Sequence, residues 1–156
     1  MPSNYIDKPV DFVAWHGPTY TGWSRLSQCL FSEETKSEVC TGIQKLVQRW
    51  LSIFLTPLGT MTFNKSRGTR FMVDIYSCNT EKDVFMTFQL NNSLAIDQLK
   101  QEERESETKE DEKLKSITLT GITLILGSAS LNIHVVSQTG EETEIVLPID
   151  TNPLQL

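Results

Sequence analysis

The constraint that most narrows the fold of this chain is a change of hydrophobic period in its last third. Beyond Leu114, apolar residues mostly step in twos: Ile117 and Leu119, Ile122, Leu124 and Leu126, then Leu131, Ile133 and Val135 alternating with Asn132 and His134. A period of two places successive side chains on opposite faces of a strand, so one face is apolar and the other polar. Gly127-Ser128 and Thr139-Gly140 stand where hairpin turns of two to four residues belong, and Glu144 to Ile149 supplies a third strand. Pro148 and Pro153 discourage pairing beyond it. The prediction is an antiparallel three-stranded meander.

Upstream the period is helical. Val39, Ile43, Leu46, Val47, Trp50, Leu51 and Phe54 recur at steps of three and four, while Lys45, Gln48 and Arg49 fall outside the stripe. Ser32 is a candidate N-cap with Glu33 and Glu34 in the first turn, which predicts a helix over 33–55. Thr56 before Pro57, and Gly59 shortly after, end it. The stretch from Gly59 to Thr69 has the Gly, Asn and Ser content of a turn-rich loop, and Arg67 and Arg70 bracket its second glycine, Gly68. Thr80, with Asp83 three residues on, is the candidate cap of a second helix. Val84, Phe85, Phe88, Ala95 and Leu99 form its apolar face, interrupted by Asn91, Asn92 and Ser93.

The fold class expected is therefore α+β, with two main helices packed on a C-terminal three-stranded antiparallel sheet. Residues 1–31 carry three prolines and scattered aromatics without a period, and read as an extended N-terminal arm ahead of a domain over 32–156. Residues 100–115 are almost wholly charged or polar, with no core-facing residue expected before Leu114, and read as a solvated helix end or a tether. A chain of 156 residues supports one core, burying roughly 68–70% of the surface its unfolded form exposes.

Composition excludes several classes of function. The formal net charge of -6 argues against nucleic acid as the main partner. No apolar run approaches the roughly 20 residues that cross a bilayer, and the first residues lack the basic start and apolar centre of a signal peptide. These features predict a chain made and kept in the cytoplasm, without membrane insertion. Cys29, Cys40 and Cys78 form no C-x-x-C pair and lie beside neither histidine, so reduced structural thiols and no metal site are expected. His16 and His134 belong to no catalytic motif, nucleotide loops and nucleophile elbows are missing, and the carboxylates at Glu33, Glu34 and 102–112 sit in polar contexts. No catalytic residue and no cofactor are expected.

The order of elements, together with Leu46 to Met72, resembles the small baseplate wedge, or sheath-initiator, family of contractile phage tails, R-type bacteriocins and type VI secretion systems, also named lysozyme-like. In that family an amphipathic helix ends in a Thr-x-x-Gly turn and an irregular loop follows with a second glycine; Thr56, Gly59 and Gly68 stand in those positions here. A polar Gly hairpin and a Leu-Pro-Ile-like strand are matched by Gln138-Thr139-Gly140-Glu141 and Leu147-Pro148-Ile149, so the resemblance spans 32–149. The chain departs from it at Glu112-Lys113-Leu114, where many members carry Glu-Pro-Arg, and in its long arm.

The resemblance implies a structural, non-enzymatic role in a virion tail baseplate assembled in host cytoplasm. Six copies would surround the tail axis, with sheath subunits, wedge proteins and tail tube or hub proteins as partners. The residues expected to meet them are Glu144, Ile145, Val146, Leu147 and Ile149, with Glu112 and Lys113 at the start of the sheet and the loop positions Thr56, Gly59, Arg67, Gly68 and Arg70. Physically, a terminal sheet leaves unpaired backbone groups on its edges, and a partner strand can complete them. A cytosolic adaptor or chaperone binding by strand addition is the competing class, and a peptidoglycan hydrolase, suggested only by the family's name, is the third.

Overall fold

The computed structural model describes residues 11–12, 39–125 and 127–150. The Ser32 cap, the Glu33-Glu34 turn, His16, Cys29 and most of the expected arm lie outside the described residues. Two short strands, β1 (Asp11–Phe12) and β2 (Val39–Cys40), pair antiparallel with Phe12 opposite Val39. Val39 therefore stands in a strand and not on the helical stripe. Helix α1 spans Ile43–Leu55 and starts ten residues later than position 33, because Gly42, at φ 61, turns the backbone out of helical geometry between Val39 and Ile43. The first helical bond runs from the Leu46 amide to the Gly42 carbonyl. Thr56 is extended, as expected of a residue ahead of proline, and closes the helix.

A short helix α2 (Phe71–Asp74) and a 3₁₀ turn over Ile75–Ser77 bury Phe71 and Ile75. Helix α3 runs from Glu81 to Glu105. Thr80 caps it in a capping box: its hydroxyl accepts from the Asp83 amide at 3.2 Å and the Asp83 carboxylate accepts from the Thr80 amide at 3.1 Å. The Thr80 side-chain hydrogen bond holds the Asp83 carboxyl below the usual carboxylate range. Val84, Phe88, Ala95 and Leu99 face the core as their spacing implies, whereas Phe85, one residue off that line, is 42% exposed.

The three strands β3 (Leu114–Ile125), β4 (Ser128–Ser137) and β5 (Glu142–Asp150) form an antiparallel sheet in the order β3-β4-β5. The α+β class and the C-terminal meander expected above are what the chain adopts. Two bulges shift the β3 register, one between Leu114 and Ser116 and one between Leu119 and Gly121. Each inserts one unpaired residue, Lys115 or Thr120, and so returns the next apolar residue, Ile117 or Ile122, to the face of the one before. Pro148 does not end β5; it lies within the strand opposite Ser130.

One face of the sheet meets the helices, α1 lying against β4 and α3 against β3. The centre of the core is aromatic. Trp50 stacks on Phe54 with ring centroids 4.8 Å apart, and Phe54 meets Phe71 at 4.3 Å and Phe88 at 5.3 Å. Asn92, an expected interruption of α3, instead faces this cluster: it is buried, and its side-chain oxygen accepts from the Trp50 indole N–H at 3.0 Å.

Residues 100–115 are also more ordered than a tether. Glu102 accepts from Arg67 at 2.9 Å, and Glu103 accepts from the Leu114 amide at 2.9 Å. Glu112 is buried with one oxygen 3.0 Å from the Lys45 ammonium, so a carboxylate turns inward before Leu114. The groups that compensate Glu102 and Glu112 lie on the loop and on α1, far away in sequence.

Candidate functional site

The site has two parts, the outer edge of β5 and the loop that follows α1. At the edge, backbone direction decides what a partner would meet. The Ser137 amide donates to Glu141, across the β4–β5 turn, while the Gln138 amide donates to the Lys113 carbonyl and the Thr120 hydroxyl to the Asn132 carbonyl. Odd positions of β4 thus face β5 and even positions face β3, because both backbone groups of one residue point the same way in an antiparallel ladder. With Leu131 opposite Leu147 and Ile133 opposite Ile145, the ladder uses the odd residues of β5. The backbone groups of Glu142, Glu144, Val146 and Pro148 therefore point away from the sheet. Proline fits there because its missing N–H would have been on the free side.

Among the described residues no strand pairs with the outer edge of β5 or of β3. The two edges differ. The bulges at Lys115 and Thr120 interrupt β3, whereas β5 stays in unbroken register with β4 from Glu142 to Asp150. Ile145, Leu147 and Ile149 put their side chains into the core, with exposures of 4%, 3% and 5%. A partner at this edge would meet the backbone and the side chains of Glu144, Val146 and Pro148. The sequence-predicted set is thus divided between a face that holds the domain together and a rim that is open.

Glu112 and Lys113 stand at the start of β3, the opposite edge strand, and serve the fold. The second carboxylate oxygen of Glu112 is buried without a hydrogen-bond partner, and the first is held by Lys45. Lys113 bonds Glu110 through its ammonium at 2.6 Å and accepts the Gln138 amide on its carbonyl at 2.9 Å, tying the start of β3 to the β4–β5 turn.

The loop from Pro57 to Thr69 is closed at its base by two backbone bonds, Thr69 amide to Thr56 carbonyl and Leu58 amide to Thr69 carbonyl, both 2.9 Å. Gly68 sits at φ 113 against this closure. Helix α3 then grips the loop from one side. Gln98 clamps Gly68 at both ends, accepting from its amide and donating to its carbonyl at 2.9 Å; Asn91 accepts from the Arg70 amide at 2.9 Å; and Glu102 holds Arg67. Asn91, Gln98 and Glu102 are seven and four residues apart, which sets them on one face. Thr56, Arg67, Gly68 and Arg70 are brought together at the base, while Gly59, at φ 86, turns in open space. Sequence reasoning missed Asn91, Gln98 and Glu102; their recurrence at the spacing of one helix face was the available signal.

At the tip, Asn64 accepts from the Ser66 amide and hydroxyl in a local turn, and Phe63 projects with a relative exposure of 102%. His134 lies on β4 beside Glu142, 3.3 Å away across the strands. Among the described residues no cluster of three or more His, Cys, Asp or Glu is placed to hold a metal ion, and no helix is long and apolar enough to cross a membrane.

Compared with protein-family models, with curated proteins and with solved structures, the chain matches none of them.

Proposed function

We propose that this chain is a non-enzymatic structural component of a contractile-tail baseplate that starts sheath assembly by offering the outer edge of β5 to a strand of a sheath subunit. The observation that carries this reading is the outer edge of β5, which no described strand pairs with, held in unbroken register by β4 and backed by Ile145, Leu147 and Ile149 in the core. The resemblance at Thr56, Gly59, Gly68 and the Gln138 to Glu141 hairpin supplies the kind of machine. In this reading wedge and tube or hub proteins are further partners, and the chain stands in the baseplate of the assembled particle.

Energetics favour a joint that works only in an assembled ring. Each new backbone hydrogen bond contributes about 0.5–1.5 kcal/mol net, and Pro148 removes one donor from the edge. A handful of such bonds scarcely offsets an association cost of about 4–15 kcal/mol. Six edges at fixed spacing make later contacts effectively intramolecular, so a lone subunit binds sheath weakly and a ring binds it well.

Proline scanning separates the edge from the core. Val146→Pro removes an outward N–H and places ring carbons where a partner strand would lie, yet breaks no bond to β4. Its fold should survive, and recruitment of purified sheath subunits to baseplates carrying it should fall at least about tenfold, equivalent to about 1.4 kcal/mol. Leu147→Pro faces the ladder and leaves the Leu131 carbonyl unpaired, which costs about 1–3 kcal/mol of stability. Normal recruitment by folded Val146→Pro baseplates would refute strand docking at this edge. Particles lacking the chain in fixed stoichiometry would favour a transient adaptor.

A further inference from the structure

We propose that the cleft between α1 and the end of α3 binds a linear aliphatic oligoamine, one of whose primary ammonium groups donates to the second carboxylate oxygen of Glu112. This inference depends neither on the β5 edge nor on the loop after α1.

Lys45 and Arg49 stand one turn apart on α1. With Glu102 and Glu105 on α3, Glu107 beyond its end and Glu112 in the 3₁₀ turn over Glu110–Glu112, they line a cleft of about 530 Å³. Small-molecule sites have that size, roughly 300–1,000 Å³. Glu112 is the member that points to a ligand. It is 2% exposed, and Lys45 answers one of its oxygens at 3.0 Å, while the other has no hydrogen-bond partner among the described residues. A buried ion pair is repaid in full only when further hydrogen bonds satisfy the lone pairs that the pairing leaves over. The wall of the cleft therefore holds an acceptor with capacity for one more donor.

The charges identify that donor. Four carboxylates face two cations, and both cations are engaged, Lys45 with Glu112 and Arg49 with Glu102, at 3.9 Å, where Arg67 also binds. Glu105 accepts from Gln101, a neutral donor, and both Glu105 and Glu107 are exposed with no cation within ion-pair distance among the described residues. The charge that the cleft calls for is positive, in a chain whose net charge is already -6. Among the described residues these carboxylates do not converge as a metal site. A ligand whose charges are spaced along a chain matches them better than a single ion. Glu112 is also so nearly enclosed that the group reaching it must be slim. An unbranched primary ammonium is a compact donor of that kind, whereas a guanidinium is a broad plane and a quaternary ammonium has no N–H to give.

The test titrates the isotopically labelled full chain with spermidine at low salt, followed by backbone amide shifts in NMR and by calorimetry. Saturable binding is expected, with the largest shifts at Glu105 to Thr108 and Glu110 to Lys113. Glu112→Gln keeps the shape and removes the charge, and it should weaken binding at least about tenfold, since a buried charge-assisted hydrogen bond is lost. The double variant Glu105→Gln with Glu107→Gln changes exposed positions only and leaves the core intact; it should weaken binding about threefold, as exposed ion pairs do. Tetramethylammonium should not compete. Shifts that fail to saturate and spread to Glu142 and Glu144, or displacement by an equal concentration of magnesium ion, would reduce the effect to counter-ion binding and overturn the proposal. Full affinity in both variants would overturn it too. Tighter binding of the peptide acetyl-Gly-Lys-Gly-amide than of spermidine would contradict a free oligoamine and assign the cleft to a lysine side chain of another protein.

Discussion

Trp50→Ala should remove about 3–5 kcal/mol of folding stability, the loss typical of truncating a buried aromatic residue. Trp50 has no exposed surface, and its ring lies on Phe54 and beside Phe88, where α1 meets α3. Truncation opens a cavity at the centre of the aromatic cluster and strands the Asn92 side-chain oxygen, which loses its indole donor in a buried setting. An unsatisfied buried acceptor costs about 1–3 kcal/mol. Small domains hold only about 5–15 kcal/mol in total, so the variant stands near the limit of folding. Trp50→Phe separates the terms by keeping a ring while still orphaning Asn92. Urea denaturation measures both, and a loss under about 1 kcal/mol for Trp50→Ala would contradict the placement of this residue.

Gly68→Ala should be nearly as damaging, through the backbone. A Cβ at Gly68 would lie 2.4 Å from the Thr56 carbonyl oxygen and 3.3 Å from the Pro57 carbonyl carbon. Those are main-chain atoms inside the closure of the loop, so they cannot turn aside as a side chain would. Overpacking of this kind costs about 1–3 kcal/mol, and a non-glycine residue at φ 113 adds strain of about 1–3 kcal/mol. Gly59→Ala is the matched control, since Gly59 has positive φ and empty space around it. The expected result is a large fall in unfolding midpoint for Gly68→Ala, with loss of the Leu58 and Thr69 amide protections in hydrogen exchange, and a lesser fall for Gly59→Ala, which carries the backbone strain without the overpacking. Equal effects would show that the close approach to Thr56 does not hold the loop.

These two residues also show which parts of the fold can be read from the amino-acid order. Trp50 belongs to a stripe with helical period, and burial follows from period alone. The meander is legible for the same reason; its bulges were passed over, although the steps Leu114 to Ile117 and Leu119 to Ile122 are three residues where a regular strand requires two. The start of α1 was misread because Val39 and Ile43 are in helical step, although Gly42 between them carries the break. Asn91 and Asn92 looked like flaws in α3, since the groups that satisfy them, the Arg70 amide and the Trp50 indole, are 21 and 42 residues away. Charged residues hide their partners in the same manner. Glu102 and Glu112 read as solvated because Arg67 and Lys45 reach them only after the chain has folded.

The candidate site was legible as a segment and not as a surface. Alternation shows that Ile145, Leu147 and Ile149 share one face, but which face meets the helices is a tertiary fact. Once it is known, the roles divide. The odd residues of β5 pack and pair with β4, and the even ones turn their backbone outward, with Pro148 tolerated because it falls on the outward side.

Amide hydrogen exchange across β5, compared between the free chain and the same chain in baseplates bearing sheath, probes this division directly. The N–H groups of Glu144 and Val146 should exchange quickly in the free chain and become strongly protected when sheath is present, while those of Ile145 and Leu147 stay protected throughout. If Glu144 and Val146 exchange equally fast in both states, no strand has joined β5, and the proposed docking at its outer edge is contradicted.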